Sequence, residues 1–336
     1  MKFLRYILFP VVPIYYLVTW LRNKAYDLGV KPSSKFDLPI ICVGNLSVGG
    51  TGKTPMIEYL IRALKPEYKI ATLSRGYKRK SEGFVIADVN ASASTVGDEP
   101  FQFYKKFDDV LVSVDANRQN GIQQLLALKD KTQVILLDDA YQHRKVKAGF
   151  NILLTAYDNL YVNDIVLPTG NLREPRSGAK RADVIIVTKC PEQLDANKKE
   201  AIKKALKLAS HQRLFFSYIS YSEKVFGAKK AIDLKSLKDK SFTLVTGIAN
   251  PKPLVEYLKL NGLSFEHLSF KDHHNFSQHE IENLKQKELV ITTEKDYMRL
   301  KPHFKVSEKL FYLPIETAID DSTALIKLVK KFVHNF

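Results

Sequence analysis

The sequence contains little cysteine, since Cys42 and Cys190 are the only two among its 336 residues. Both lie in or beside apolar stretches that we predict to be buried strands. This placement indicates a reducing compartment and argues against a disulfide framework or a zinc site. Low-complexity tracts and internal repeats are also missing. A chain of this length with 45% hydrophobic residues is expected to fold as one large or two medium globular domains.

Acidic residues are fewer than basic ones, with 36 aspartates and glutamates against 52 lysines and arginines. The formal net charge of +16 suits three kinds of partner: nucleic acid, anionic lipid or a phosphorylated substrate. For residues 197–207 a solvated, lysine-rich surface is the simpler interpretation. The sequence has no helix-turn-helix, RNP-type or zinc-finger signature. We therefore predict no nucleic-acid partner, although the charge by itself does not choose among the three.

A hydrophobic run long enough to cross a membrane is also missing. Residues 6–21 carry no charge, but the run is interrupted by Pro10 and Pro13 and is shorter than the about 20 residues that a spanning helix needs. No small-x-small cleavage site follows it. Aromatic residues suited to the headgroup layer occur along the run, and basic residues flank it. We expect residues 1–30 to dock on a membrane surface. A buried core helix, a true span and a signal peptide are the alternatives.

The most informative segment is a glycine-rich loop between an apolar strand and an amphipathic helix. It ends at residues 52–54 in Gly-Lys-Thr, the order typical of a P-loop, whose backbone N–H groups surround a polyphosphate. The lysine reaches the β/γ oxygens and the threonine hydroxyl ligates Mg²⁺. The predicted nucleotide-binding residues are Ser47, Val48, Gly49, Gly50, Thr51, Gly52, Lys53 and Thr54. Ser47 stands where the pattern has glycine, so we expect Gly49 and Gly50 to supply the backbone freedom. A glycine-rich turn that caps an ordinary helix is the alternative.

Continuous apolar runs, many of them β-branched, alternate with helical patterns along the chain. Such runs are typical of parallel strands that are covered on both faces. In the first part of the chain we predict strands at residues 38–43, 69–73, 110–114, 134–137, 151–154, 184–187 and 214–218. The alternation predicts an α/β fold with a doubly wound, mostly parallel sheet that binds ligands at the carboxyl ends of its strands.

A lysine-rich stretch short of large apolar residues, at 222–240, precedes a second and smaller βα series. The predicted elements of that series are strands at 242–247, 265–268 and 289–292, a helix at 253–260 and a helix after residue 275. We expect the chain from residue 310 to return to the main domain as a strand and a helix. The predicted division is an N-terminal segment (1–30), a P-loop domain (31–230 with 308–336) and a smaller α/β domain (231–307).

Two acidic motifs follow the glycine-rich loop. Asp138 and Asp139 end an apolar strand, which is the Walker-B arrangement that holds Mg²⁺ directly or through water. Acidic pairs also serve as turn residues after strands. Asp98 and Glu99 precede a helical run at 101–107, where an acidic helix start is the ordinary interpretation. The functional one makes Asp98 a base for an attacking hydroxyl and places Glu99 at the metal.

Two adjacent histidines, His273 and His274, lie in a predicted loop. Because no partner at metal-ligand spacing accompanies them, we do not expect a zinc site. A surface or packing role is the ordinary interpretation for such a pair. The functional interpretation is a histidine that a carboxylate orients by a hydrogen bond and makes more basic.

Eight motifs in a fixed order resemble a known family. They are residues 44–55 (GNLSVGGTGKTP), 74–77 (SRGY), 97–100 (GDEP), 138–144 (DDAYQHR), 170–175 (GNLREP), 246–251 (TGIANP), 272–274 (DHH) and 293–296 (TEKD). This series closely resembles the tetraacyldisaccharide 4'-kinases of lipid A biosynthesis, from the N-terminal apolar segment to about residue 300. The serine in the glycine-rich loop belongs to that family's own pattern, whereas Ala140 and Tyr141 stand where Gly-Phe is expected.

The resemblance implies an ATP-dependent, Mg²⁺-requiring kinase that acts on the 4'-hydroxyl of a tetraacylated glucosamine disaccharide 1-phosphate, a lipid A precursor. It also implies an enzyme docked on the cytoplasmic face of the inner membrane of a Gram-negative bacterium. By family pattern, Asp98 resembles the catalytic base and His273 its partner, while Lys53 acts on the phosphates. Thr54, Glu99, Asp138 and Asp139 fall at positions on the metal side. Motif positions expected near the phosphates or the sugar are Arg75, Gln142, His143, Arg173 and Glu174.

Two other classes of protein use a similar loop: a switch GTPase and a membrane-associated partitioning ATPase. The first reads guanine through Asn-Lys-x-Asp, and the match at residues 188–191 lacks the final aspartate. The second carries a signature lysine directly before the glycine pair, where this chain has Val48. A P-loop ATPase or GTPase that acts as a membrane-associated molecular switch is therefore the alternative function, and the sequence disfavours it.

Overall fold

The computed structural model describes Arg5 and residues 7–128, 132–272, 274–304 and 309–336. The strands in this part of the chain are β1 (Ile40–Asn45), β2 (Ile70–Ser74), β3 (Val85–Ile86), β4 (Leu111–Val114), β5 (Val134–Asp138), β6 (Phe150–Ala156), β7 (Val184–Thr188), β8 (Arg213–Tyr221), β9 (Lys224–Gly227), β10 (Ala231–Asp233), β11 (Phe242–Thr246), β12 (Phe265–Ser269), β13 (Val290–Thr293), β14 (Leu310–Leu313) and β15 (Ile315–Ile319).

The helices follow the same chain order. They are α1 (Val12–Asp27), α2 (Lys53–Leu64), α3 (Ala93–Val96), α4 (Asp98–Lys106), α5 (Arg118–Leu126), α6 (Ala196–Leu206), α7 (Lys252–Leu260), α8 (Gln278–Gln286), α9 (Glu294–Phe304) and α10 (Ser322–His334). Short 3₁₀ turns occur at Phe9–Val11, Tyr161–Asn163, Arg176–Arg181 and Leu234–Leu237. The chain divides into two compact units, Met1–Ile219 with Thr317–Phe336 and Ser220–Glu316.

The first unit is built on a nine-stranded sheet with the strand order β15-β8-β7-β6-β1-β5-β2-β4-β3. The central strand β1 pairs in parallel with β5 on one side and with β6 on the other. The neighbouring pairs β2–β5, β2–β4, β6–β7 and β7–β8 are also parallel, and β3 pairs antiparallel with β4. The predicted mostly parallel α/β sheet is therefore confirmed.

Both faces of this sheet are covered. Along β1, Ile40 and Cys42 belong to one apolar cluster, while Ile41 and Val43 belong to another on the opposite face, because alternate side chains of a strand point to opposite sides. Helix α2 buries its apolar side in the same cluster as Ile41. A strand with apolar side chains on both faces has no polar side for water, which is why its sequence is a continuous hydrophobic run.

The second unit carries a six-stranded sheet in the order β10-β9-β14-β13-β11-β12. Strands β11 to β14 pair in parallel, while β9 pairs antiparallel with both β14 and β10. The core of this unit includes Leu244, Ile291 and Phe311, all at most 1% exposed. Helices α7, α8 and α9 also bury apolar side chains within this unit.

The second unit is wider than the 231–307 expected from the sequence. Residues 222–240, expected to be a break, contain β9, β10 and a 3₁₀ turn, because β9 pairs with β14 of the same sheet. Strand β14 itself, expected in the main domain, pairs with β13. The return to the first unit occurs at Thr317, within β15.

The N-terminal helix α1 lies at the surface, so the alternative of a buried core helix is wrong. Its only buried side chain is that of Asn23. The exposed large apolar side chains of this segment are Ile7, Leu8, Phe9, Val11, Ile14, Tyr16, Leu17, Val18, Trp20 and Leu21. Among the described residues, no helix has both the length and the apolar character needed to cross a membrane.

Candidate active site

Most of the predicted site residues of the first unit come from the segments at the carboxyl ends of β1, β2 and β5. These strands are neighbours in the order β1-β5-β2, so the loops that follow them leave the same edge of the sheet. The loop after β1 is the glycine-rich one, the loop after β2 begins at Arg75, and β5 ends at Asp138. Parallel pairing thus brings together residues that are far apart in the sequence.

Two glycines give the glycine-rich loop its shape. Gly49 and Gly52 have backbone φ angles of +112° and +83°, which residues with a Cβ atom rarely adopt. Gly52 directly precedes α2, so the loop ends at the positive end of that helix dipole. Gly50 has no positive φ, and the expectation that Gly49 and Gly50 share the backbone freedom is therefore corrected to Gly49 and Gly52.

Side chains after β7 hold the carbonyl groups of this loop. Thr188 Oγ1 donates to the Thr51 carbonyl at 2.8 Å, and Lys189 Nζ donates to the Gly50 carbonyl at 2.5 Å. Burial lowers the pKa of Lys189, and the nearby charge of Lys53 lowers it further. Within the loop, the Val48 N–H donates to the Asn171 carbonyl at 2.7 Å and the Thr51 N–H to the Gly49 carbonyl at 3.1 Å, so these two N–H groups already have protein partners.

Asp138 and Asp139 have different surroundings although they are adjacent. Asp138 is buried, and burial together with the charge of Asp139 raises its pKa to about 7. Asp139 adopts a left-handed φ of +47° and forms ion pairs with Lys53 Nζ at 3.7 Å and Arg173 Nη1 at 2.9 Å. Burial would raise the pKa of Asp139, but these two cations outweigh it and lower the pKa.

The donor set near Asp138 fits a magnesium ion that arrives with a nucleotide. Asp138 Oδ1 and Thr51 Oγ1 are buried without a hydrogen-bond partner in the described part of the chain. Mg²⁺ is usually held by one or two carboxylates, with phosphate oxygens and waters as the remaining ligands. The described residues contain no group of three or more acidic, histidine or cysteine side chains that could hold a metal.

The Arg75 loop and the start of α4 are in direct backbone contact. A Cβ on Gly97 would lie 3.2 Å from Gly76 Cα, and both glycines have positive φ angles. The residue after Arg75 thus lies against the residue before Asp98 and Glu99, the first residues of α4. The charge of Glu99 contributes to the raised pKa of Asp138, so the acidic start of α4 faces the end of β5. The other predicted catalytic residue, His273, lies outside the described residues.

Arg173 and Glu174 are adjacent in the sequence, but their side chains have different partners. Arg173 reaches Asp139, whereas Glu174 is 2% exposed and holds Arg181, Gln142 and Asn23 through its two oxygens. Gln142 Nε2 also donates to the Asn45 carbonyl at 2.8 Å, at the end of β1. Both oxygens of the buried Glu174 carboxylate are thus held by protein side chains.

The partly buried His143 and the buried Arg118 lie close to each other in the site. Burial lowers the pKa of His143 to about 4, and the charge of Arg118 adds to this effect. Arg118 is 3% exposed, and its Nη2 donates to the Asp138 carbonyl at 3.5 Å. Arg118 is not among the residues predicted from the sequence, although it follows the end of β4, where a parallel sheet places ligand-binding residues.

The fold of this chain is similar to that of a solved structure. A crystal structure of the "apo" form of LpxK from Aquifex aeolicus in complex with ATP superimposes with a TM-score of 0.80 at 30% identity, covering 98% of this chain and 99% of that one. The fold thus belongs to the P-loop NTPase-like α/β class.

Family and sequence comparisons are more specific. The model of the tetraacyldisaccharide-1-P 4'-kinase family matches residues 4–334. The tetraacyldisaccharide 4'-kinases of Flavobacterium johnsoniae and Flavobacterium psychrophilum are 58% and 52% identical; each match covers 94% of this chain and 93% of the relative. The chain therefore belongs to the tetraacyldisaccharide-1-P 4'-kinase family. The predicted resemblance and the predicted class of enzyme, a kinase, are confirmed.

Proposed function

We propose that this protein transfers the terminal phosphoryl group of ATP to the 4'-hydroxyl of a tetraacyldisaccharide 1-phosphate, in the synthesis of lipid A. One observation carries the proposal: a glycine-rich loop with two positive-φ glycines ends beside the Asp138–Asp139 pair in a chain of this kinase family. Phosphoryl transfer depends mainly on positioning and on neutralising the charge of the phosphates, and this site supplies both.

The nucleotide is bound by the residues after β1. The loop residues Ser47, Val48, Gly49, Gly50, Thr51, Gly52, Lys53 and Thr54 surround its phosphates. Lys53 neutralises the charge that develops on the transferred group. The contact of Lys53 with Asp139 supports this role, because a lysine held beside an acidic group is kept in place until a phosphate competes for it.

The Thr54 hydroxyl and the Asp138 carboxylate would hold Mg²⁺, directly or through water, and the ion would supply positive charge that offsets the charge of the phosphates. The unpartnered Asp138 Oδ1 supports the choice of Asp138 over Asp139, whose two oxygens already pair with cations. Asp139 then keeps Lys53 and Arg173 oriented, and Glu99 adds acidic character on the metal side.

Asp98 is the base that accepts the proton of the attacking 4'-hydroxyl. Its position at the start of α4, beside the Arg75 loop, supports this role. By family pattern His273 is its partner and increases its basicity. Arg75, Gln142, His143 and Arg173 contact the phosphates or the sugar, and Glu174 acts on them through the protein rather than on the substrate.

The exposed apolar side of α1 docks on the cytoplasmic face of the inner membrane. Apolar side chains on the outside of a helix that buries only Asn23 support this role. The net positive charge of the chain favours an anionic membrane surface and an anionic glycolipid. The acyl chains of the substrate can then stay in the bilayer, and no nucleic acid is needed as a partner.

The proposal is tested by incubating the purified protein with ATP, Mg²⁺ and the lipid disaccharide 1-phosphate. We expect one phosphate to be added at the 4' position, identified by mass spectrometry and NMR. ATP hydrolysis that needs no lipid acceptor, or that depends on a protein or DNA, would instead support the switch alternative.

A matched variant tests the base. Asp98→Asn removes the proton acceptor but keeps the size of the side chain, so transfer should fall about 10²–10⁴-fold. ATP affinity, measured by calorimetry, should stay near that of the original protein. A variant that turns over normally would remove Asp98 from the mechanism.

A further inference from the structure

Helix α1 has the opposite polarity to an ordinary surface helix. Most of its large apolar side chains face outward, whereas Val12 and Tyr15 pack partly against the core, and the one side chain that it fully buries is an amide. A buried amide is costly unless it is hydrogen-bonded. Asn23 Nδ2 donates to Glu174 Oε2 at 2.5 Å, across 151 residues of sequence. The helix is thus attached to the first unit by a specific polar contact at its only buried position.

The partner of Asn23 is itself part of the site's polar network. Glu174 Oε1 accepts hydrogen bonds from Gln142 Nε2 at 3.0 Å and from Arg181 Nη2 at 2.8 Å. Because Glu174 is buried, its carboxylate orientation depends on all three donors. Loss of the Asn23 donor would leave Glu174 paired with Arg181 but free to turn relative to Gln142.

The same network continues to the phosphate loop. Gln142 Oε1 accepts from Arg173 Nη1 at 3.5 Å, and Arg173 Nη1 donates to Asp139 Oδ1 at 2.9 Å. Asp139 Oδ2 lies 3.7 Å from Lys53 Nζ. A series of side-chain contacts therefore runs from α1 to the lysine expected to act on the transferred phosphoryl group.

Two further contacts tie the inner side of α1 to the same loops. Arg22 Nη2 donates to the Gln142 carbonyl at 2.9 Å, and Tyr15 Oη donates to the Arg173 carbonyl at 3.0 Å. The helix thus holds the backbone of both residues while Asn23 reaches them through Glu174. A helix that served only as an anchor would not need bonds to Gln142 and Arg173.

We propose that Asn23 is a positioning residue for phosphoryl transfer. Through Glu174 it aligns Gln142 and Arg173, and so the Asp139–Lys53 pair, whenever α1 is seated. The inference rests on the proposed function, and it makes the membrane-docking helix part of the active-site scaffold. Small displacements of positioning groups slow phosphoryl transfer much more than they weaken binding of the protein to the membrane.

The test compares Asn23→Leu, which keeps the size but removes the amide, with Thr19→Val. In the described part of the chain, the Thr19 hydroxyl donates only to carbonyl groups of its own helix, those of Tyr15 and Tyr16. With detergent-dispersed lipid disaccharide, Asn23→Leu should lower kcat about tenfold with little change in KM for the lipid. Thr19→Val should keep kcat within about twofold, and vesicle co-sedimentation of both variants should match the original protein.

Two additional variants keep the result interpretable. Asn23→Gln retains the amide and should recover part of the lost kcat, whereas a merely structural role would not be rescued by it. Asn23→Leu combined with Gln142→Ala should be no more than about twofold slower than Gln142→Ala alone, because both act in one network. Thermal unfolding of each variant verifies that it is folded.

The inference is overturned if folded Asn23→Leu keeps its kcat, if its loss of activity matches a loss of vesicle binding, or if the double variant multiplies the two single effects. Failure of the proposed function would look different, since the original protein would then form no phosphorylated lipid at all. In that case calorimetry still tests the network: an unchanged affinity of Asn23→Leu for Mg²⁺-ATP would overturn it, and a weakened one would support it.

Discussion

Helices α1 and α2 both border the site, yet they use their apolar residues in opposite ways. Helix α2 buries Met56, Ile57, Leu60, Ile61 and Leu64 against the sheet. Helix α1 exposes its apolar residues and buries Asn23. A buried carboxylate is associated with each helix, and a basic side chain neutralises it. Glu58 belongs to α2 itself and pairs with Lys106. Glu174 contacts α1 and pairs with Arg181. Apolar content alone therefore does not tell which side of a helix faces the protein. The position of its polar partners does.

The largest expected effect is a difference in protein stability between truncating an apolar side chain of α2 and truncating one of α1. Ile61→Ala removes a fully buried side chain and leaves a cavity, so it should lower the free energy of unfolding by about 2–5 kcal/mol. Ile14→Ala, at an exposed position of α1, should change it by no more than about 0.5 kcal/mol. Urea-induced unfolding followed by circular dichroism measures both. Equal losses would mean that α1 packs through its apolar side.

Sequence patterns predicted α2 and most of the sheet because their information is local. A continuous apolar run, a glycine-rich loop and a carboxylate after a strand each lie within a few residues. The same reasoning identified Asp138 and the loop, and it missed Asn23 and Arg118. Their partners are distant in sequence, 151 residues away for Asn23, and a single polar residue in an apolar helix carries no pattern of its own.

The missed strands have a similar explanation. Strand β10 has no buried residue, and β9 buries only Val225, so neither presents an apolar run. They form because β9 pairs with β14, whose sequence lies more than 80 residues later. Pairing with a distant strand thus outweighs the weak local preference of β9 and β10 for the strand conformation. The composition of residues 222–240 alone predicted a break between domains.

The second prediction concerns His143, which lies among the cations Arg118, Lys145, Arg22 and Arg75, the third of which comes from α1. Its pKa is about 4 in the folded protein and near 6.5 when unfolded. Between these values the unfolded state binds more protons, so stability falls as the pH drops from 6.5 to 4.

The loss specific to His143 should be about 1–2 kcal/mol, after a reduction for its partial solvent exposure. It is measured as the difference between the original protein and His143→Asn in urea unfolding at pH 7 and pH 4.5. A variant with the same dependence on pH as the original protein would show that this histidine is not held neutral by its surroundings.

The third prediction tests the outer side of α1. Leu17 is 53% exposed, and Leu17→Ala should weaken binding to anionic vesicles about three- to tenfold, because it removes apolar surface from the interface. Leu260→Ala is the matched control, since Leu260 is 87% exposed but lies on α7 of the second unit. Co-sedimentation with vesicles that weakened equally in both variants would indicate nonspecific adhesion.

The smallest effect should appear at the loop before α2. Thr188→Val removes the hydroxyl that holds the Thr51 carbonyl, so the phosphate loop becomes less preorganised. A neutral hydrogen bond contributes about 0.5–1.5 kcal/mol, and part of that should appear as a two- to fivefold weaker affinity for Mg²⁺-ATP. Thr72→Val is the matched control, because the buried Thr72 hydroxyl has no partner among the described residues. It should leave the affinity unchanged. Equal affinities of the two variants for Mg²⁺-ATP would mean that the loop before α2 needs no support from β7. In that respect α2 would differ from α1, which depends on polar contacts distant in sequence.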